Sequence, residues 1–275
     1  MFDISPIQVP PLNLTIHSGQ TMLVTDREGW VNRGRTGLFG SDTRYVSTYE
    51  ATIDGLRPRF LTAHQPHYHS VTTTYTNRPF LSGLDAVDEL ELILQFCRVV
   101  DVDLHETIRV TSFARRPISF RLMVNLECSF DDIFEVRDLR PTPPRLIRSS
   151  YDDESCSIRS VYRDRSFSRV FAYQVVSAPG RPRFSASVIV FSIELAYGQS
   201  WRAETCASLT GEPMGRFFAS QVSGPSAEPR RTEIPAAKSN DIAIRGEDTS
   251  SGLTRWLSEL TRIQTPNPIV QRAYD

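Results

Sequence analysis

Acidic side chains crowd one stretch of the chain, Asp131-Asp132-Ile133-Phe134-Glu135-Val136-Arg137-Asp138, directly after a segment that reads as a strand. Connections that leave strands are where functional groups concentrate. Paired carboxyls serve glycosidic hydrolysis when they stand about 5–5.5 Å apart for retention or about 6.5–9.5 Å apart for inversion. Adjacent acids on a strand point to opposite faces, however, and nothing in this motif sets a span across a substrate. The alternative is a structural loop whose acids pair with arginines close in sequence, Arg137 and Arg140, and the residues favour it. A second acidic run, Asp152-Asp153-Glu154, reads as a solvated turn.

His64, His67 and His69 lie within six residues. On an extended strand His67 and His69 would share a face and could offer two imidazoles to a zinc ion. Zinc needs four ligands, or three and a water. No cysteine lies nearby in sequence and Pro66 interrupts the strand, so surface or strand-edge histidines are expected and no metal site is assigned. His17 and His105 stand apart. The glycine-bearing stretch from Glu28 to Gly40 suits tight turns, not a phosphate cradle. Its aromatics Trp30 and Phe39, with Tyr45 beyond, could stack on a sugar ring, although core packing is the commoner fate of such residues. G-x-S-x-G, G-x-x-x-x-G-K-S/T, H-E-x-x-H and dinucleotide fingerprints are all absent. No catalytic residue and no cofactor are assigned.

Period-two patterning supplies the elements that must position these groups. Leu90 to Val100 carries apolar residues at even positions except Arg98, Ile118 to Leu126 repeats that phase, and Val188 to Leu195 aligns Ile189, Phe191, Ile193 and Leu195. Shorter strands are expected at Thr21 to Thr25, Tyr45 to Ile53, Arg59 to Ala63, Ser70 to Tyr75, His105 to Val110, Cys156 to Tyr162 and Val170 to Val176. Many half-buried antiparallel strands joined by close turns imply a sandwich or barrel-like sheet. Gly211 to Gly246, rich in Pro, Ser, Ala and Arg, reads as a surface wrap or linker. Leu253, Trp256, Leu257, Leu260 and Ile263 then fall at helical spacing. Asn267-Pro268 opens a second helix that the sequence leaves within about two turns, which suggests a segment downstream.

The 275 residues contain 31 basic and 32 acidic side chains, for a net charge of −1. That balance offers no cationic excess to a nucleic acid, so none is expected as a partner. No apolar run reaches the length of about 20 residues that spans a bilayer as a helix, and the first residues carry no secretory pattern. A cytoplasmic location without a membrane partner is expected. Cys97, Cys128, Cys156 and Cys206 show no C-x-x-C spacing and are expected to be free, structural thiols.

Three stretches together resemble one family. Gly37-Leu38-Phe39-Gly40-Ser41-Asp42-Thr43-Arg44-Tyr45-Val46-Ser47 followed by Ile53-Asp54-Gly55, then Asp103-Leu104-His105-Glu106-Thr107-Ile108, and finally Phe130 to Arg137 resemble, in order and spacing, segments of the N-terminal domain of bacterial glycogen debranching enzymes of the amylo-α-1,6-glucosidase type. Ser166-Phe167-Ser168-Arg169 is a weaker echo. The resemblance implies an all-β fold, a large antiparallel β super-sandwich over residues 1–246, with a short C-terminal helical linker over 247–275. It also implies a catalytic α/α barrel in cis, outside this sequence, and an α-glucan as the ligand class. Asp131, Asp132, Glu135, Arg137, Asp42 and Arg44 become substrate-rim or interdomain candidates on that basis.

The reading is therefore a non-catalytic domain that braces the barrel and shapes the glucan cleft. Truncation at the domain boundary near Asp275 would expose an apolar face on the Trp256 helix, so weak self-association of the isolated fragment is expected. One rival is a free-standing carbohydrate-binding module that stacks malto-oligosaccharides on Trp30, Tyr68 and Tyr75. Another is an autonomous hydrolase using Asp131, Asp132 or Glu135.

Overall fold

The computed structural model of the chain describes residues 13–138, 145–164, 167–185 and 187–213. In order, the elements are β1 (Leu14–Ser18), β2 (Thr21–Thr25), β3 (Val31–Asn32), β4 (Gly37–Gly40), β5 (Thr43–Ile53), β6 (Arg59–His67), β7 (Ser70–Thr76), β8 (Phe80–Ser82), β9 (Asp85–Val87), β10 (Leu92–Val100), β11 (Leu104–Ser112), β12 (Ile118–Asp132), α1 (Ile133–Asp138), β13 (Ile147–Asp152), β14 (Ser157–Arg163), β15 (Phe167–Ser177), β16 (Arg183–Ser185), β17 (Val188–Leu195) and β18 (Ser200–Pro213). One sheet runs β1-β2-β4-β5-β12-β17-β16 with β3 added on β5, and the other runs β13-β14-β15-β18-β11-β10-β7-β6. A small hairpin pairs β8 with β9.

Alternation dictates which faces meet. Ile118, Phe120, Leu122, Val124 and Leu126 of β12 and Ile189, Phe191, Ile193 and Leu195 of β17 are buried against Leu92, Leu94, Phe96 and Val100 of β10 and their neighbours in one continuous core. Contacts cross from sheet to sheet, as where Phe191 meets Trp201 edge-on at 5.1 Å and the Tyr45 hydroxyl donates to the Thr210 carbonyl at 3.3 Å. The arrangement is the all-β sandwich expected. Among the described residues no helix is long and apolar enough to cross a membrane, and the four cysteines are unpaired with one another.

Arg98, the exception in the even-phase pattern, is fully buried. It sits directly opposite Glu106 in the β10–β11 register and donates from Nε to Glu106 Oε2 at 2.6 Å. A second guanidinium nitrogen donates to the Gly29 carbonyl. Tyr49, from β5 in the facing sheet, donates its hydroxyl to the other Glu106 oxygen, and its ring lies 5.1 Å below the guanidinium. Burial, then the Glu106 charge, push the Tyr49 hydroxyl well above its ordinary range. Burial alone would weaken Arg98 as a base, but the Glu106 carboxylate more than offsets this and holds the guanidinium protonated.

The turn that delivers the Gly29 carbonyl is equally constrained. Asp26 Oδ1 accepts the backbone N–H groups of Glu28 and Trp30, each at 2.9 Å. Gly29 adopts φ +86, and a Cβ there would lie 2.6 Å from Thr73 Cγ2. Only glycine meets both the left-handed backbone and that close approach.

Several elements differ from the sequence expectation: β1, β3, β4, β8, β9, β13, β16 and β18 are not among the expected strands, and β6 runs to His67 rather than Ala63. Strand β12 continues past Leu126 to Asp132, through irregular pairing with β5 and a left-handed Phe130 at φ 54. The short helix α1 was not anticipated, because six residues are too few to show a helical stripe. Strand β18 extends to Pro213, beyond the expected start of the linker at Gly211. The rest of that segment, the Trp256 and Pro268 helices and the self-association argued from them lie outside the described residues.

Breaking a buried ion pair from one side leaves an uncompensated charge and costs about 3–5 kcal/mol. Arg98→Met is expected to destabilise the chain by that amount in urea unfolding. Adding Glu106→Leu to it should recover a large part of the loss.

Candidate functional site

Phe130 to Arg137 forms a charged constellation where β12 ends and α1 begins. Asp131 is buried and opposite Arg44 in the β5–β12 register. Arg44 donates to Asp131 Oδ2 from its Nη2 and, at 3.1 Å, from Nε, while its Nη1 reaches the Gly34 carbonyl at 2.7 Å. Arg145 closes the other side, with Nη1 2.6 Å from Asp131 Oδ1 and Nη2 2.6 Å from Glu135 Oε2.

Asp132 and Glu135 cap α1 reciprocally. Asp132 Oδ1 accepts the Phe134 N–H and Glu135 Oε2 accepts the Asp132 N–H, both at 2.8 Å. This D-x-x-E arrangement satisfies two of the amide donors that a helix start leaves open. Asp42 contributes a backbone carbonyl, which accepts the Ile133 N–H at 2.9 Å. Its carboxylate is exposed on the Ser41-Asp42 turn, where both residues have positive φ, as a two-residue β-hairpin turn of this twist requires.

The acids are therefore paired with arginines, as the structural reading expects, although from a strand end and a short helix and not from a loop. Among the described residues, Asp131 and Glu135 meet Arg44 and Arg145. Arg137 points outward, pairs with Asp138 at 2.8 Å and lies 5.1 Å over the Phe134 ring. Arg140 lies outside the described residues. Arg145 escaped the sequence reading, since nothing in its spacing ties it to Asp131. Asp152-Asp153-Glu154 does form an exposed strand end and turn, with Asp152 Oδ1 accepting the Glu154 N–H at 3.0 Å.

The sugar-stacking candidates are mostly inaccessible. Trp30 and Tyr75 are 0% exposed and stack on each other at 4.5 Å, and Phe39 and Tyr45 are buried too. Of the three residues offered for a binding module, only Tyr68, 37% exposed, reaches the surface. The His64–His69 triplet does not converge on an ion. His64 and His67 sit on the edge strand β6, whose pairing is irregular between them, and the His67 and His69 rings stack at 5.4 Å. Among the described residues, the group that brings three potential ligands together is Asp103, His105 and Cys206. There His105 Nε2 lies 3.3 Å from Asp101 Oδ1. Hydrogen bonds to Asp101 and Cys206 raise the imidazole to about 10 despite burial.

Burial opposes ionisation of Asp131, yet hydrogen bonds from Ser129 and Arg44 and the charges of Arg44 and Arg145 hold it below the usual carboxylate range. A depressed folded-state pKa contributes stability above the unfolded value, about 3.9, and loses it as pH falls through the folded value. Asp131→Asn is expected to cost about 1.5–3 kcal/mol near neutrality, the worth of hydrogen bonds to charged groups. The gap to wild type should stay constant on acidification until the ordinary carboxylate range and then narrow, as measured by unfolding at a series of pH values.

No curated protein matches the chain by sequence. A heparinase III structure aligns with TM-score 0.35 and 10% identity over 60% of this chain, which spans 24% of that protein's length. A galactose mutarotase-like protein from Lactobacillus casei aligns with TM-score 0.40 and 9% identity, covering 72% of this chain and 100% of that one. Heparan sulfate lyase HepC from Pedobacter heparinus gives TM-score 0.34 and 9% identity over 70% of this chain and 30% of the lyase. The family profile described as the N-terminal domain of some glycogen debranching enzymes matches residues 16–206, and the chain belongs to that family.

Proposed function

We propose that this chain is a non-catalytic N-terminal domain that braces an α/α barrel in cis and shapes one wall of an α-glucan cleft. The observation that carries this reading is the surface built on the charged constellation. Phe134, 60% exposed, and the Arg137 guanidinium stacked over it project from a helix fixed below by Asp132, Glu135 and Arg145. An aromatic and an arginine held rigidly in the open suit a packing or sugar-rim surface, since both types are enriched where interfaces bind most strongly.

Hydrolysis by this chain fits the same groups poorly. Asp131 is occupied by two guanidinium groups, and Asp132 and Glu135 are used by the helix start. An acid–base pair needs a carboxyl within reach of a substrate proton, and each of these has another duty. The binding-module reading is weakened by the burial of Trp30 and Tyr75.

Incubating the purified chain with linear and branched malto-oligosaccharides, followed by chromatography, should return the sugars intact, and any cleavage would overturn the proposal. In a polypeptide carrying both domain and barrel, Phe134→Ala with Arg137→Ala is expected to lower kcat/KM several-fold or loosen the barrel in thermal unfolding. The isolated domain should change by no more than about 0.5 kcal/mol, as exposed positions do. Unchanged activity and stability in the joined protein would remove α1 from the interdomain surface.

A further inference from the structure

The geometry points to a metal site outside the surface just described: Asp103, His105 and Cys206 bind one divalent ion of the zinc class, with Asp101 orienting the imidazole. Two pieces of chain build it, the start of β11 with the connection before it, and β18. His105 and Cys206 are paired neighbours in the β11–β18 register, so their side chains leave the sheet side by side on one face. Asp103 comes from the three-residue connection between β10 and β11, whose closing pair is Val100 and Leu104. One donor atom from each of the three lies within 4.8 Å of the others. Ligands at zinc bond lengths of about 2.0–2.3 Å in a tetrahedron stand roughly 3.4–3.6 Å apart. Closing the present cluster onto an ion therefore asks for side-chain shifts on the order of an ångström, without moving a strand.

The donor set selects the ion. A thiolate, an imidazole and a carboxylate suit zinc or cobalt, whereas magnesium and calcium prefer oxygen alone. Three protein ligands leave one tetrahedral position for water. All three residues are half-buried, which shields the ion while leaving a route to it.

The loop is prepared for the task before any ion arrives. Asp101 Oδ1 accepts the Asp103 N–H at 2.9 Å, the Asp101 N–H returns to the Asp103 carbonyl at 3.0 Å, and Thr21 from the facing sheet donates to the Val102 carbonyl at 2.8 Å. The same Asp101 oxygen stands 3.3 Å from His105 Nε2. A carboxylate that fixes a histidine ring in this way is the usual outer partner of a metal-binding imidazole. The ion would clamp the β10–β11 connection to β18 and complete a fold in which these segments already touch.

The test uses the whole 275-residue chain, reduced and stripped with chelator, then titrated with cobalt(II) and back-titrated with zinc(II). One equivalent of cobalt should bind, with thiolate-to-cobalt charge-transfer absorption that zinc abolishes. Cys206→Ser and His105→Gln should each lose the absorption, Asp101→Asn should weaken binding by about 10- to 100-fold, and Cys97→Ser, an exposed thiol on another strand, should bind as wild type. Asp103→Asn, lying in the connection outside both strands, is the variant least able to disturb folding and should weaken binding at least tenfold. Absence of the absorption in the wild type, its survival in Cys206→Ser, its loss in Cys97→Ser or full affinity in folded Asp103→Asn would each overturn the proposal.

Discussion

Arg98 and Glu106 meet in the middle of an apolar core, where each charge alone would cost several kcal/mol to desolvate. The cost is offset by the groups arranged around the pair, although Arg98 Nη2 finds no hydrogen-bond partner. Glu106 takes a guanidinium hydrogen on one oxygen and the Tyr49 hydroxyl on the other. Arg98 reaches back to the Gly29 carbonyl and lies over the rings of Phe96 and Tyr49. Four pieces of backbone, β10, β11, β5 and the Asp26–Trp30 turn, must therefore be in register together. A one-residue slip of β10 would turn Arg98 to the outside and bring Cys97 in, and the whole arrangement would lose its partners at once.

Strand β5 carries that constraint to the charged constellation at the other end of the sheet. Its Tyr49 serves Glu106, its Tyr45 packs on Phe130 at 5.4 Å, and its Arg44 holds Asp131. Pairing with β12 passes through two irregularities, one on each side of Cys128 opposite Val46, which offset each other. Leu126 opposite Tyr49 and Asp131 opposite Arg44 are both five residues apart on each strand. The left-handed Phe130 lies in the second irregularity. That placement buries its ring while aiming the next carboxylate at two arginines. The Phe130 to Arg137 stretch thus ends a long strand and starts a capped helix.

Much of this was legible in local pattern. Strands β2 and β17 end where alternation and turn residues say they should, and Arg98 stands out as a charge in an apolar phase. The D-x-x-E spacing of Asp132 and Glu135 is a helix-start signal, but it preceded too short an apolar run to be read as one. Pairings between distant residues were not legible. Arg44 and Asp131 are 87 positions apart, and His105 and Cys206 become neighbours only when β18 inserts between β11 and β15. Register between distant strands decides such meetings, and no spacing within one strand encodes it. Burial of Trp30 agrees with core packing as its commoner fate, and the platform that the rival module needs from Trp30 and Tyr75 fails because the two rings stack on each other inside the core.

A cluster of acids in a sugar-enzyme family invites a catalytic reading, and electrostatics argues against it here. Acid–base chemistry at neutral pH calls for a carboxyl whose environment raises its proton affinity or leaves it free to exchange. Asp131 is held in the opposite direction, below its ordinary range, by the guanidinium groups that surround it. Such a group is a poor proton donor and, with both oxygens occupied, a poor base. The same pairing that disables it as a catalyst makes it a rigid footing. Phe134 and Arg137 stand exposed above that footing, with the Arg137 guanidinium over the Phe134 ring and paired with Asp138. Within the described residues, the acids tie the end of β12 to the start of α1.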